Sequence, residues 1–351
     1  MSFGIKVFTK TGTAYKLDSK CTTMCISGAL GSNVYPQTGL YVPEGYDYYA
    51  HLSEPCGFWS FGTDSTGATF IDASSDPIAY LDQNRQLCFK NGEYGRNSWS
   101  KYPDEVYLDQ NQQLVLLTWP KSIKANGHGI LFNGVSSFFQ INQYSNFTNV
   151  IWKGDIEISN QGWRVSDIDP SLSNYNSFVF FYCDDPTISI GKDFEHRYYD
   201  VFGYVPYDHN GHVSNRTIKV KVVIFGVGHI KTSKFGLRIY KNKNVVYDSC
   251  NEIFINPVLT SFERYSLGQW QSINGIKRPM HATVSVGASF FNGNKNQNWV
   301  CDIGVRSNGY QLSTSEQRIH KVFWFESELS YGFYISAQKV LVLDAENYFN
   351  F

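Results

Sequence analysis

A chain of 351 residues, 42% of them hydrophobic and 17% aromatic, has enough apolar surface for packed cores, which excludes wholesale disorder. Its net charge of −1 does not provide the basic field that a dedicated nucleic-acid binder presents to phosphates, and it gives no polybasic signal for an anionic membrane. The 24 Tyr, 26 Phe and 29 Gly residues favour strands and turns, and the length predicts two or three domains.

The first residues, Met1 to Val7, lack the basic start and the apolar block of a signal peptide, so a protein without export is expected. The most apolar runs, Phe178 to Cys183 and Val222 to Val227, are far shorter than a membrane-spanning helix. Seven cysteines are an odd number and widely scattered, which predicts reduced and mostly buried thiols rather than a disulfide framework.

A hairpin pattern occurs three times along the chain. Each copy begins with an aromatic residue and a glycine, continues with alternating apolar residues, and ends with a second apolar run followed by Asp. The copies span Phe3–Ser19, Phe235–Ser249 and Tyr331–Ala345. Because side chains alternate along a strand, each copy predicts two antiparallel strands joined by a turn.

A second duplication relates Tyr80–Leu87 to Tyr107–Leu114. Both segments contain Asp-Gln-Asn between apolar runs, and Asp side chains close turns by accepting hydrogen bonds from nearby backbone amides. Two hairpins stacked in one sheet are expected.

Apolar runs at roughly 8–12-residue spacing, separated by Gly, Asn, Asp and Ser, predict an all-β fold of antiparallel hairpins. Phe178 to Tyr182 and Lys219 to Val227 are the expected central strands. Two or three β-sandwich domains of jelly-roll type are predicted. They are an N-terminal β domain with duplicated hairpins (1–120), a central sandwich (121–230) and a C-terminal β domain bounded by the repeated hairpin motifs (231–351).

Catalytic signatures are weak. Neither a nucleophile elbow nor a phosphate-binding loop occurs, and Gly226 to His229 is only half of a dinucleotide fingerprint. Asp155 and Glu157 would lie on one face of a strand as an acid–base pair, but the polar side of a half-buried strand explains them more simply. The sequence therefore predicts neither catalytic residues nor an enzyme.

Metal and cofactor signatures are equally weak. Asp208 to His212 places two imidazoles beside a carboxylate, yet a solvated Asn-Gly turn accounts for the same residues. Asp184 and Asp185 favour a turn that ends a strand over a calcium site. We expect neither a metal nor a cofactor.

Large rings occur in two turn-rich segments, which contain Tyr94, Trp99 and Trp299. Exposed rings on rigid loops stack on sugars or contact proteins at low entropic cost. The alternative for each ring is packing in a hydrophobic core, which is the more common role of aromatic residues. These three residues are the predicted contacts to a glycan or receptor.

The segments Ser2–Phe8, Phe235–Tyr240 and Tyr331–Ile335 resemble a signature of tailed-bacteriophage tail and tail-tip proteins. Those proteins open "Tyr-Gly-Leu-x-Val-(Phe/Tyr)-(Asn/Asp)-x-x-Gly", continue to "Asp-Ser" and repeat the unit downstream. Here the second and third copies lack the turn Gly, and the third ends in Asp-Ala. The resemblance implies a structural role in the virion and transfers no catalytic or binding residue.

The predicted function is therefore that of a phage tail structural protein at the tip, baseplate or fibre-attachment region. It would be assembled in the host cytoplasm into the virion, as a homo-oligomer in contact with other tail proteins and with a glycan or protein of the host surface. Nucleic acid and membrane insertion are not expected. A lectin-like carbohydrate-binding module is the alternative, followed by a polysaccharide depolymerase.

Overall fold

The computed structural model describes residues 4–8, 14–18, 24–59, 73–92, 96–97, 106, 108, 112–121, 129–133, 138–142, 148–198, 201–226, 231–234, 237–241, 243–292, 298–322, 332–336 and 338–351. Strands make up 51% of the structure and helices 3%, and the antiparallel sheets form a ring that resembles a four-bladed β-propeller. The predicted all-β class is confirmed. The helical residues described are two 3-10 turns, Val165–Asp167 and Ala345–Asn347.

Twenty-seven strands lie within the described residues. In chain order they are β1 (Gly4–Phe8), β2 (Ala14–Asp18), β3 (Cys25–Leu30), β4 (Gln37–Tyr41), β5 (Tyr46–Leu52), β6 (Gly57–Trp59), β7 (Ala73–Ser75), β8 (Pro77–Leu81), β9 (Gln86–Asn91), β10 (Arg96–Asn97), β11 (Leu114–Pro120), β12 (Gly129–Asn133), β13 (Phe138–Asn142), β14 (Asn149–Ile158), β15 (Ser177–Tyr182), β16 (Ser189–Tyr198), β17 (Val201–Tyr207), β18 (Ile218–Gly226), β19 (Arg238–Lys241), β20 (Asn244–Asp248), β21 (Val258–Thr260), β22 (Pro279–His281), β23 (Gly287–Asn292), β24 (Asn298–Ser307), β25 (Leu312–Val322), β26 (Gly332–Ile335) and β27 (Val340–Asp344).

Two three-stranded sheets of the N-terminal part, with strand orders β3-β11-β5 and β4-β9-β8, share one apolar core. Alternate residues of β11 point into the core between them, since strand side chains alternate between faces. Buried members of this core include Leu52, Leu87, Phe89, Leu114 and Leu116. A third small sheet joins β10, β7 and β6.

The first six-stranded sheet has the order β14-β18-β15-β22-β27-β21. Its strand β15, Ser-Phe-Val-Phe-Phe-Tyr, is buried at every position because other layers cover both of its faces. Phe178 and Phe180 pack toward the β3-β11-β5 sheet, and Phe181 packs in a separate core with Ile190 and Tyr204 of the next sheet. The two expected central strands, β15 and β18, are thus confirmed.

The second six-stranded sheet has the order β17-β16-β24-β23-β26, and β25 pairs with β24. It contacts the first six-stranded sheet through a further apolar core that includes Val286, Ile303, Ile335, Val340 and Val342. The long β24–β25 hairpin places the turn 308–311 at one end of this sheet.

The repeated hairpins have different outcomes. β1 pairs with β2, and β19 pairs with β20, as predicted. The third copy is not a hairpin, because β26 joins β23 of one six-stranded sheet while β27 joins β21 and β22 of the other. This part of the prediction is wrong: an alternating pattern defines the two faces of a strand, but it does not specify its partner.

The Asp-Gln-Asn prediction is confirmed in its first copy. β8 and β9 form a hairpin, and Oδ1 of Asp82 accepts hydrogen bonds from the backbone N of Asn84 (2.9 Å) and of Gln86 (2.8 Å). In the second copy, Tyr107–Leu114, the Asp-Gln-Asn turn at 109–111 lies outside the described residues.

Domain boundaries near 120 and 230 stay predictions. Within the described residues, the first six-stranded sheet combines strands from both sides of residue 230. Four of the six described cysteines, Cys56, Cys88, Cys183 and Cys301, are buried thiols. In the described part of the chain, the structure contains no helix with the length and apolar character of a membrane span.

Candidate binding surface

Two of the three rings predicted to contact a ligand, Tyr94 and Trp99, lie outside the described residues. For Trp299 the structure describes the backbone alone, which is in β24 opposite Phe291 and Lys321. The three residues therefore stay predictions.

Asp155 and Glu157 lie on the polar side of β14, as the simpler interpretation predicts. The Asp155 carboxylate is 2.8 Å from Nζ of Lys221, and that of Glu157 is 3.7 Å from Nζ of Lys219. The four residues are opposite one another in the β14–β18 register, so they form cross-strand ion pairs on an exposed surface.

The loop at Asp208 is closed by its own carboxylate. Oδ1 of Asp208 accepts from the backbone N of Asn210 (2.9 Å) and of His212 (3.0 Å). No group of three or more His, Cys, Asp or Glu residues with metal-binding geometry occurs in the described ranges.

Asp185 ends its strand with a similar turn. Its carboxylate accepts from Thr187 N (3.0 Å) and Thr187 Oγ1 (2.6 Å) and pairs with Nη2 of Arg216 at 2.6 Å. Burial acts to raise the pKa of Asp185, but the contacts with Thr187 and Arg216 outweigh it and lower the pKa. The carboxylate of Asp185 therefore stabilises the loop that follows β15.

A rigid turn between β24 and β25 presents an exposed ring. Oδ1 of Asn308 accepts from the backbone N of Tyr310 (3.0 Å) and of Gln311 (2.8 Å), and Ser307 Oγ accepts from Gly309 N at 2.9 Å. These bonds hold the turn from within, as Asx turns do. The side chain of Tyr310 is 61% exposed.

The guanidinium of Arg278 lies beneath this ring. Its Cζ is 5.0 Å from the ring centroid of Tyr310 and 4.2 Å from that of Phe351, and its Nη1 donates to the hydroxyl of Tyr182 at 3.0 Å. The rings of Tyr182 and Phe351 meet edge-on at 5.0 Å. We call these four residues the Arg278 cluster. Cation–π contacts of this kind stabilise the ring positions.

Asp344, the aspartate of the third motif copy, positions the backbone of the Arg278 cluster. Its Oδ2 accepts from Lys277 N at 3.0 Å, and its Oδ1 accepts from Arg278 N at 3.2 Å and from Glu346 N at 3.1 Å. The side chain of Lys277 pairs with Glu346 at 2.9 Å. The motif aspartate thus connects β27 to the segment that carries Arg278.

Asp184 lies against the same turn. Gly309 has φ +91, and a Cβ added there would be 3.0 Å from the Tyr182 hydroxyl and 3.1 Å from the Cβ of Asp184. Glycine avoids both the strain of this backbone conformation and the close approach of a side chain. Asp184 is exposed, so its carboxylate lies at the surface beside the Tyr310 turn.

A second group of charged side chains, Arg318, Asp302 and Glu54, is largely buried. Nη2 of Arg318 is 2.5 Å from Oδ2 of Asp302 and 3.2 Å from Oε2 of Glu54, all in largely buried side chains. Arg318 has φ 40 at the position where the β24–β25 register shifts, so a β-bulge aims its side chain inward. Burial lowers the pKa of Arg318, but the two carboxylates overcome this and raise it. We interpret the group as a link between the segment that joins β5 to β6, which carries Glu54, and the second six-stranded sheet.

Sequence reasoning missed the Arg278 cluster. The local signal was Ser307-Asn308-Gly309, a run of turn residues immediately before Tyr310. No local signal joins that turn to Arg278 or Phe351, because they are distant in sequence.

Comparison with known proteins places most of the chain in one family. Residues 93–324 match the model of a family of unknown function, DUF6453, and this range is more than half of the 351 residues. The chain belongs to this family. No curated protein and no solved structure matches the chain.

The DUF6453 range contains Asp184, Arg278 and Tyr310 but not Phe351. It also contains the central hairpin motif, β19–β20, whereas the first and third copies lie outside it. The DUF6453 match therefore covers the turn and the guanidinium of the candidate surface.

Proposed function

We propose that the chain is a structural component of a phage tail, at the tip, baseplate or fibre-attachment region. The observation that supports it is the closure of the central hairpin by the Asp-Ser pair of its motif. Asp248 is fully buried; its Oδ2 accepts from Arg238 Nε (2.6 Å) and Ser233 N (3.0 Å), and its Oδ1 accepts from Ser233 Oγ (2.9 Å) and Cys250 N (3.0 Å).

Ser249 completes this closure. Its Oγ accepts from Leu237 N at 3.0 Å, and its backbone N donates to Leu237 O at 2.9 Å. Asp-Ser therefore has a structural use in this chain, and the same dipeptide ends the signature of the tail proteins that the motif resembles. A motif that stabilises a hairpin is one that a protein of a larger assembly could use more than once.

The hairpin also has the properties of a docking element. Within the described residues β19 and β20 form a sheet of two strands, and Tyr240 on β19 is 50% exposed. Two-stranded hairpins are marginally stable alone, and an open strand edge can add to a neighbouring sheet. We propose that other tail proteins or further copies of the chain supply that sheet in the virion.

The test is incorporation into particles. Mass spectrometry and electron microscopy of purified virions of the encoding phage should detect the chain in the tail. Replacing Asp248 by Asn should reduce incorporation, while Asp155→Asn, on an exposed face, should not. A stable chain that never accompanies particles would overturn the proposal.

We also propose that facing sheets act as sandwich units with boundaries near residues 120 and 230, the second of which is spanned by the first six-stranded sheet. The core between the β3-β11-β5 and β4-β9-β8 sheets supports a first unit. Limited proteolysis that releases fragments ending near these positions would agree with it, and cleavage confined to other sites would not.

A carbohydrate-binding protein is the second candidate. The observation that favours it is the Arg278 cluster, in which a rigid turn and a guanidinium hold Tyr310 and Phe351 at the surface. Binding of the purified chain to a glycan array would support this function, and an array without signal would remove it.

A further inference from the structure

We propose that Asp184, Tyr310 and Phe351 form a site for one neutral hexopyranose unit of a glycan. The inference rests on the carbohydrate-binding candidate and deepens it by naming the ligand class and the contacts. It does not depend on the tail proposal.

The rings supply the apolar half of the site. Pyranose sugars have a face of C–H groups that stacks on an aromatic ring, and stacking needs a ring that is exposed and fixed. Tyr310 is 61% exposed and Phe351 is 51% exposed, and both rings contact the guanidinium of Arg278. They are therefore ordered before a ligand arrives, which lowers the entropic cost of binding.

Asp184 supplies the polar half. A carboxylate beside an aromatic ring can accept hydrogen bonds from two hydroxyls of the sugar that stacks on the ring. Asp184 is exposed, packs against Gly309 next to Tyr310, and makes no hydrogen bond within the described residues. Both oxygens of its neighbour Asp185 are already bonded, one to Thr187 and the other to Arg216.

The charges favour a neutral sugar over an acidic one. Nη1 of Arg278 is bonded to the neutral hydroxyl of Tyr182, and its Nε lies 3.8 Å from the carboxylate of Glu346, which also pairs with Lys277, so the positive charge of Arg278 is offset in part. The carboxylate of Asp184 would repel a uronate or a sialic acid. A hexose such as glucose, galactose or mannose has no charge to oppose.

Two side-chain amides of the turn, those of Asn308 and Gln311, add polar groups at the edge of the proposed site. Gln311 Nε2 donates to Ser272 Oγ at 3.1 Å, and Asn308 Nδ2 lies 3.4 Å from Gln311 Oε1. These side chains are partly exposed and border the same turn, so they can bond hydroxyls of a second sugar unit.

The experiment uses the full chain and immobilised oligosaccharides of glucose, galactose and mannose, with sialylated and uronate-containing glycans alongside. We expect binding to at least one neutral set. Tyr310→Ala and Asp184→Asn should each weaken that binding by about tenfold or more, the equivalent of about 1.4 kcal/mol.

Tyr265→Ala is the matched control. Tyr265 is 70% exposed and also lies over an arginine, with its centroid 5.4 Å from Cζ of Arg264, so removing it tests for a general effect of exposed rings. The affinity of the Tyr265→Ala variant for the neutral glycan should equal that of the unaltered chain. Circular dichroism should show that all variants are folded.

Binding to acidic glycans alone, binding to proteins alone, or an affinity that Tyr310→Ala leaves unchanged would each overturn the site. So would the absence of any neutral-glycan signal. If the chain is present in virions but binds no glycan, the site fails while the tail proposal stands.

Discussion

The Nε atom of Arg238 lies 2.6 Å from Oδ2 of Asp248, and this ion pair joins the first strand of the central hairpin to the end of the second. Burial acts to raise the pKa of Asp248, but hydrogen bonds from the Cys250 and Ser233 amides and from Arg238 hold it well below its ordinary value. The carboxylate is therefore ionised and structural at neutral pH.

Replacing Asp248 by Ala should destabilise the chain by about 2–4 kcal/mol, because several charge-assisted hydrogen bonds to a buried carboxylate are lost together. Urea unfolding at pH 7 measures the effect. Asp155→Ala is the control, since its exposed pair with Lys221 is worth less than about 1 kcal/mol. Equal effects of the two substitutions would contradict the role assigned to Asp248.

Two buried histidines make stability depend on pH. Burial, aided by the charge of Lys192, lowers the pKa of His51 to about 3 although a bond with the Thr283 backbone opposes the shift, and burial lowers that of His281 to about 4. The unfolded chain takes up protons near pH 6.5, whereas the folded chain does not. Stability is therefore full above pH 6.5 and falls as the pH drops toward 4.

Each histidine should contribute at most about 1.4 kcal/mol per pH unit in that window. Urea unfolding at pH 7 and at pH 4.5 measures the loss, and His281→Gln should make it smaller. The lowered pKa of Asp248 acts only below about pH 4, where its carboxylate gains a proton in the unfolded chain. An identical pH dependence in the His281→Gln variant would refute this assignment.

Arg318→Leu should cost about 3–5 kcal/mol, because it leaves the Asp302 and Glu54 carboxylates together in a largely buried site. Adding Glu54→Gln should recover part of the loss, since it removes one of the two charges. A double-mutant cycle from denaturant unfolding measures the coupling. If the two effects simply add, Arg318 and Glu54 do not interact energetically.

Gly309→Ala should destabilise the β24–β25 turn and weaken glycan binding together. The new Cβ would meet the Tyr182 hydroxyl at 3.0 Å in a backbone with φ +91. Gly275→Ala is the matched control, because φ is +79 there with nothing within 4 Å of the new Cβ. We expect about 1 kcal/mol from the conformation alone at 275 and about 1–3 kcal/mol more at 309. Equal melting temperatures would show that the close contact does not matter.

Local patterns predicted the local structure well. The apolar runs of β15 and β18 predicted buried central strands, because only a strand covered on both faces is apolar at nearly every position. The Asp82 turn was predictable for the same kind of reason, since its hydrogen bonds join residues two and four positions apart. The first and central copies of the motif form hairpins, and in each copy only a few residues separate the two paired strands.

The sequence by itself thus determined the strand content, the central strands and the turns closed by aspartate. Only the tertiary structure decided that β26 and β27 join different sheets, that Glu54 meets Arg318, and that Phe351 covers Arg278. The physical reason is separation along the chain. Hydrogen bonds across a turn depend on neighbouring residues, whereas distant side chains meet only where the packing of whole sheets brings them together.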